Sequence, residues 1–352
     1  MSVPSAPFPT VFGRGLVPEL VAIANRPTLV VTMADLWSRF ERDLAGLEPI
    51  VHLVDTLERD ELERQLADLP TVATVIGLGG GQALDVAKFV AWRRRLPLFQ
   101  VPTAMTVNAA FGQRAGLRVD GVVRYQGWAV PEAVYVDYEV IRSAPAALNR
   151  AGVGDILCYH TAHRDWQLAD ELGRTEPRWP YDAELVAAAR ERLDAVLAAL
   201  DEIHDVTDVG IRALMLAHRW GGAAFHDAGW NPRHIEGVEH FVFYNLEHRT
   251  GRHFIHGQPV GLGIVAGSML QEHEPERMLG SLVRAGVDLR PEAMGVTWGD
   301  VAEALLSLPE FVASAGLWFT IADVRRPDTA LVERLRDAID EAYAGWPPEG
   351  VR

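Results

Sequence analysis

The stretch from Val72 to Leu78 reads as a β-strand that runs straight into Gly79-Gly80-Gly81, and helical spacing resumes at about Gln82 and continues to Arg94. Strand, glycine turn and helix in immediate succession leave few architectures open. The preceding and following segments repeat the theme. Thr28 to Thr32, Pro49 to Val54, Leu98 to Val101 and Val134 to Val136 read as further short strands, and residues 36–47 and 58–69 as helices. Short apolar runs that alternate with amphipathic stretches mark a parallel sheet with crossover helices. The glycine turn lets backbone N–H groups approach a pyrophosphate, and the helix N-terminus behind it favours negative charge. It departs from G-x-G-x-x-G, because Gln82 stands at the last glycine, and no Gly-Lys-Ser/Thr follows. Asp85 and Lys88 form an i,i+3 pair on the following helix, and the plain reading of that pair is a solvated ion pair.

After about residue 150 the character changes. Residues 183–203, 211–225, 259–270, 299–308 and 330–344 show helical periodicity, and strand-like runs nearly vanish. The expected architecture is therefore α/β plus all-α. A Rossmann-like sheet domain spans residues 1–149, and a helical domain spans 150–352. The Pro/Trp-rich stretch from Glu176 to Tyr181 reads as a loop between helices.

The formal net charge of −15 argues against nucleic acid as a partner, since phosphate contacts need clustered Lys and Arg. A small anionic substrate needs only a local cationic pocket and stays open. The one cysteine, Cys158, forbids an intrachain disulfide and fits a reducing compartment, so a cytoplasmic location is expected. The N-terminal segment lacks the basic and apolar regions of a signal peptide. No run approaches about 18 apolar residues, so no membrane span is expected.

Asp155, which follows Gly154, and two histidines from separate segments, His240 and His256, form a plausible three-ligand set for a divalent metal. Each has a plainer role when taken singly. Asp155 suits a helix cap, His240 sits among Phe241, Val242 and Phe243 like a core histidine, and His256 precedes Gly257 like a helix-entry residue. The chain has twelve histidines, and His160, His163, His234, His248 and His253 compete with these two. Spacing alone does not rank them.

Taken together, several motifs in one order resemble the dehydroquinate synthase-like and iron-containing alcohol dehydrogenase superfamily, and within it the sn-glycerol-1-phosphate dehydrogenases. The opening Val11-Phe-Gly-Arg-Gly-Leu-Val-Pro resembles the family's first hairpin and helix. Gly79-Gly80-Gly81-Gln-Ala-Leu-Asp85-Val-Ala-Lys88 resembles its dinucleotide motif, and Val101-Pro-Thr103 its Pro-Thr segment beside the nicotinamide. Ala151-Gly-Val-Gly-Asp155, Glu239-His240 and His256-Gly-Gln-Pro-Val-Gly resemble its three metal-ligand segments. The resemblance implies that Asp155, His240 and His256 bind Zn²⁺ or Fe²⁺, and that Gly79, Gly80, Gly81, Asp85, Lys88, Thr103 and Thr106 hold NAD or NADP. It also implies an active site in the cleft between a sheet domain and a helical domain, and a homo-oligomer. The implied reaction is hydride transfer between nicotinamide and a small polyol, ketose or phosphate thereof, with the metal polarising the substrate oxygen.

Three positions depart from the family pattern. Asn108 stands near the place of a catalytic aspartate, Gln258 where glutamate is common, and Tyr244 at the second histidine after the first histidine ligand. Three lost ionisable groups near one site imply a changed substrate or changed chemistry. In the nucleotide domain, Met33 stands where related chains tend to have the acidic residue that follows the second Rossmann-like strand, Asp35 lies nearby, and Arg39 reads as an exposed helix arginine, with contact to a 2′-phosphate as the alternative. The alternative function is a dehydroquinate synthase-type cyclase or lyase that uses NAD transiently. Its members carry glutamate in an Ala-Glu context where this chain has Gly154-Asp155. The intact candidate ligands disfavour a nucleotide-binding fold without chemistry, and a metal hydrolase fails to explain the glycine turn.

Overall fold

The computed structural model describes residues 8–119 and 122–346. The chain divides into two compact units. One runs to Asn149 and includes His218–Asp227; the other comprises Arg150–Ala217 and the residues from Ala228 onward.

The first unit is built on six strands in the order β1-β8-β5-β4-β2-β3. These are β1 (Thr10–Gly13), β2 (Thr28–Thr32), β3 (Ile50–Leu53), β4 (Thr74–Gly79), β5 (Leu98–Pro102) and β8 (Ala133–Asp137). Every pairing is parallel, with Leu29 opposite Val75 and Leu78 opposite Val101. Side-chain alternation separates two cores. Leu29, Val31 and Val75 pack with Leu62 of helix α2 (Arg59–Ala67) and with Val86, Phe89 and Val90 of helix α3 (Gly81–Arg94). Val30, Ile76 and Leu78 pack on the other face with Phe40 and Leu44 of helix α1 (Ala34–Leu44). Each fully buried aliphatic side chain contributes about 1.5–3 kcal/mol, so both faces hold the sheet.

The strand order sets the position of the glycine turn. β3 lies outside β2, and the chain then returns to the other side of β2 to form β4. The order reverses there, and open parallel sheets bind ligands at the carboxyl ends of strands around such a reversal. Gly79 ends β4 at that point.

Two elements differ from the sequence reading. The opening segment is not a hairpin: β1 pairs parallel with β8, and Asp137 Oδ2 accepts the Leu16 amide at 2.6 Å, which turns the chain away from the sheet edge. An antiparallel hairpin appears instead at β6 (Ala115–Val119) and β7 (Val122–Gln126). Its Ala-Gly start carries little β propensity, so packing of Ala115 and Leu117 on the α3 core sets it there.

The second unit is helical, and no strand occurs among the described residues after Asp137. The segment from Ala183 breaks at Ala199 into helices Ala183–Ala198 and Leu200–His204. Four helices position the residues that matter below: α4 (Gly154–Leu157), α5 (Tyr159–Glu171), α6 (Val238–Thr250) and α7 (Gly257–Gln271). α7 is buried from Gly257 to Ser268 without a polar face. No helix among the described residues is long and apolar enough to cross a membrane.

Candidate metal centre and nucleotide turn

Asp155, His240 and His256 meet. His256 Nε2 lies 3.2 Å from Asp155 Oδ1, and His240 Nε2 lies 3.8 Å from the same oxygen. The two imidazole centroids are 5.3 Å apart. Ligand atoms around a tetrahedral ion at ordinary bond lengths stand roughly 3.4 Å apart, and the separations of Asp155 Oδ1 from His256 and from His240 are of that order. At this site the three groups whose donor atoms all lie within 4.8 Å of one another are Asp155, Cys158 and His240. Glycines bring the segments together. A Cβ on Gly154 would lie 2.4 Å from the Gly257 carbonyl oxygen, and a Cβ on Gly257 would lie 1.7 Å from that of Ala151. Direct backbone contact therefore places Asp155 beside His256. Gly263 plays the same part against Glu239, with 2.4 Å from its absent Cβ to the Glu239 carbonyl, and draws α6 onto α7.

Glu239 is the residue that the sequence reading passed over. It is fully buried. Its Oε1 lies 2.9 Å from His240 Nδ1 and accepts the Gly237 amide at 2.6 Å, while Oε2 accepts the Thr161 hydroxyl at 2.6 Å. A carboxylate on Nδ1 fixes the ring so that Nε2 faces the ligand position. Burial alone would lower the pKa of His240. Hydrogen bonds with Asp155 and Glu239, and the charge of Glu236, override it and raise the value to about 10. Behind Glu239, buried Asp165 accepts the Val238 and Ile321 amides and the Gln271 side chain. Burial and then the nearby Glu239 push its pKa up to about 7. In the sequence Glu239 shows itself only as the neighbour of His240 in an apolar run, where a carboxylate needs a partner.

Cys158 also lies near Asp155 and His240. Its Sγ is directed at the carbonyls of Asp155 (3.2 Å) and Ile235 (3.1 Å), and burial pushes the thiol pKa well above its ordinary value. It is a buried thiol with backbone partners.

The competing histidines go elsewhere. His160 stacks on His273 at 4.5 Å, with Nε2 3.1 Å from the His273 carbonyl. Burial drives His163 and His234 down to about 3. His248 lies against Phe311, and His253 pairs with Glu247. Gln258 donates to the Asp288 carbonyl at 2.9 Å, a bond that an ionised glutamate cannot make.

At the nucleotide turn, Gly79 has φ +158°, and a Cβ there would meet Ala83 at 2.7 Å. Gly80, which precedes α3, has open space where its Cβ would be. The Thr103 amide donates to the Gly79 carbonyl at 3.0 Å, so buried Thr103 borders the turn. The Asp85–Lys88 pair is not solvated. Lys88 is buried, and its ammonium contacts Asp85 Oδ1 (2.6 Å) and the carbonyls of Gly112 (3.0 Å) and Arg114 (2.7 Å). All three N–H groups thus go to protein partners, which tie α3 to the segment that starts at Asn108. Asn108 and Thr106 are half-buried, and the Asn108 carbonyl accepts the amides of Phe111 and Gly112. Arg39 reaches Ser143 on the surface.

Residues 25–145 match the iron-containing alcohol dehydrogenase family. The chain is 32% identical to the glycerol-1-phosphate dehydrogenase [NAD(P)+] of Thermofilum pendens, over 84% of this chain and 85% of that one. It is similar in fold to the crystal structure of glycerol dehydrogenase from Schizosaccharomyces pombe (TM-score 0.73, 16% identity, 99% of this chain and 94% of that one). A probable glycerol dehydrogenase from Sinorhizobium meliloti 1021 is likewise similar (TM-score 0.72, 21% identity, 97% and 98%).

Proposed function

The chain belongs to the glycerol-1-phosphate dehydrogenase family within the iron-containing alcohol dehydrogenases, and from that premise we propose that it interconverts a small polyol, or polyol phosphate, and its ketone with NAD or NADP. It is a metal-dependent NAD(P)-linked oxidoreductase. The observation that supports the site assignment is the approach of both His240 Nε2 and His256 Nε2 to Asp155 Oδ1, with Glu239 behind His240. When bound there, Zn²⁺ or Fe²⁺ supplies Lewis-acid stabilisation of charge on the substrate oxygen, and the nicotinamide supplies or accepts the hydride.

The protein's own residues prepare these steps. Glu239 holds His240 in one tautomer. The glycine contacts fix the spacing of Asp155 and His256. Gly79, Gly80 and Gly81 offer backbone to the pyrophosphate, with Thr103, Thr106 and Asn108 beside the nicotinamide. Asp85 and Lys88 act from behind by holding α3 in place. The single buried cysteine favours the cytoplasm, and the family favours a homo-oligomer.

The test is nicotinamide absorbance at equilibrium with metal-loaded protein and a panel of polyols, ketones and their phosphates. Metal-dependent, stoichiometric cofactor turnover that Asp155→Ala and His256→Ala abolish is the expected result. Full activity and metal content in both variants would sink the assignment. Substrate loss without net cofactor change would point to transient redox chemistry.

A further inference from the structure

We propose that Asp165 is a positioning residue for the metal site: from helix α5 it holds the first turn of α6, and so keeps Glu239 on His240 Nδ1 and His240 Nε2 toward the ion. The inference rests on the proposed metal site and deepens it.

Helix α6 begins without a cap of its own. Its N-cap residue is Gly237, which has no side chain to take up the orphan amides of the first turn. Helix α5 supplies what is missing. Asp165 Oδ2 accepts the Val238 amide, the first of α6, at 2.7 Å. One turn earlier on α5, the Thr161 hydroxyl donates to Glu239 Oε2 at 2.6 Å. Glu239 Oε1 in turn accepts the Gly237 amide at 2.6 Å and lies 2.9 Å from His240 Nδ1. Asp165 and Thr161 thus hold Val238 and Glu239 from outside the helix, and His240 follows directly.

The joint is built for this hold. A Cβ on Gly237 would lie 2.7 Å from Asp165 Oδ2 and 3.1 Å from Glu239 Oε2, so both carboxylates close on one backbone point that has no side chain. The second Asp165 oxygen is occupied as well. Oδ1 accepts the Gln271 side-chain amide from the end of α7 and the Ile321 backbone amide, each at 2.9 Å. Gln271 also donates to the Thr161 carbonyl at 2.9 Å, which ties the two α5 residues to α7. Among the described residues these three partners of Asp165 are all N–H donors, the set that suits an ionised carboxylate. Asparagine keeps the shape but offers one acceptor oxygen in place of two, so at least one donor loses its partner.

The experiment titrates Zn²⁺ into the metal-free full chain. The variants are Asp165→Asn, Gln271→Met, Glu239→Gln, the Asp165→Asn/Glu239→Gln double variant, and Leu335→Ala, which opens core space in the C-terminal helix Thr329–Ala342. Melting temperature is read alongside. NMR follows the proton on His240 Nδ1 in the metal-free chain, which exchanges slowly only while Glu239 holds it. Asp165→Asn weakens Zn²⁺ binding about tenfold, the low end of the loss expected when the partner of a ligating histidine is disturbed, and loses the Nδ1 proton signal. Gln271→Met, which takes away one donor, weakens it about threefold. Leu335→Ala lowers the melting temperature and leaves Zn²⁺ affinity and the Nδ1 signal unchanged, whereas a role in stability alone would move all three together. The double variant binds within about twofold of Glu239→Gln, because Asp165 acts through Glu239. Zn²⁺ affinity within about twofold of the wild type in Asp165→Asn overturns the proposal, as do losses that multiply in the double variant. Equal losses in Leu335→Ala and Asp165→Asn overturn it too. Where Asp165→Asn fails to fold, Gln271→Met decides by the same criterion. If Asp155→Ala and His256→Ala bind Zn²⁺ like the wild type, the ligand assignment fails by itself, and the Nδ1 signal in Asp165→Asn alone decides whether Asp165 positions His240.

Discussion

Gly154 and Gly257 touch backbone to backbone, and the contact lies one residue from each of two proposed metal ligands. No side chain at either position can be absorbed by a flexible neighbour, because the atoms in the way are the carbonyls of Gly257 and Ala151. Gly257→Ala is expected to destabilise the protein by about 3 kcal/mol or more and to lower bound metal per chain, since Asp155 and His256 are pushed apart. Gly80→Ala is the contrast. Its Cβ enters open space and its φ of −76° suits alanine. That variant should keep its melting temperature and metal while losing nucleotide affinity, because the methyl occupies the approach to the turn. Thermal melts, metal analysis and nucleotide titration separate the two outcomes. An unaltered metal content in Gly257→Ala would contradict the argument.

Lys88 carries a second prediction. Its ammonium is buried among Asp85 and two carbonyls, so Lys88→Met leaves a carboxylate and two carbonyls without their donor. Breaking a buried pair from one side costs about 3 kcal/mol, here toward the lower end because Asp85 keeps some exposure. Asp85→Asn combined with Lys88→Met should cost less than Lys88→Met alone. Denaturant midpoints check this. Equal losses in the single and double variants would mean that the carbonyl bonds, rather than the ion pair, hold α3.

These two sites show how far the sequence was legible. The strands β2, β4 and β5 and helix α3 announce themselves through apolar runs and a glycine turn, because a parallel sheet buries both faces and writes that into composition. Asp155, His240 and His256 required the family resemblance to be singled out, since their spacing in sequence says nothing about distance in space. Helix α6 was not legible. Val238, Phe241, Val242, Phe243 and Leu246 are buried around most of its circumference, so no amphipathic period appears. The burial of Lys88 was invisible for the opposite reason: an i,i+3 pair looks the same in sequence whether water or the segment around residues 112–114 covers it.

Cys158 is expected to be inert. Its thiol is buried, directed at the Asp155 and Ile235 carbonyls, and shifted well above its ordinary pKa by burial and then by Glu239. Thiolate is the reactive form, so iodoacetamide should label the native protein only on unfolding. Cys158→Ala should retain bound metal if the ligands are Asp155, His240 and His256 as proposed, although the Cys158 sulfur lies within 4.8 Å of the Asp155 and His240 donor atoms. Loss of metal in Cys158→Ala with an unchanged melting temperature would instead make the sulfur a ligand.

His240 gives the metal-free protein a pH dependence whose sign follows from its raised pKa. The folded value is about 10 against an unfolded value of about 6.5. The charged ring is therefore stabilising below about pH 6.5, and that contribution is lost as the pH rises toward 10. A metal needs the neutral Nε2, so binding must expel the proton. Metal affinity should rise about tenfold per pH unit between roughly pH 7 and 9, and about one proton should appear per metal bound. Calorimetry of metal uptake in buffers of different ionisation enthalpy counts that proton directly. Glu239→Gln keeps the shape and removes a charge from Nδ1. It should lower the His240 pKa, flatten the pH dependence, and weaken metal binding by about 10–100-fold, as expected when a partner of a ligating histidine is lost. Proton release near zero at pH 8 in the unaltered protein would show that His240 is already neutral there, and that the surrounding carboxylates do not hold its charge.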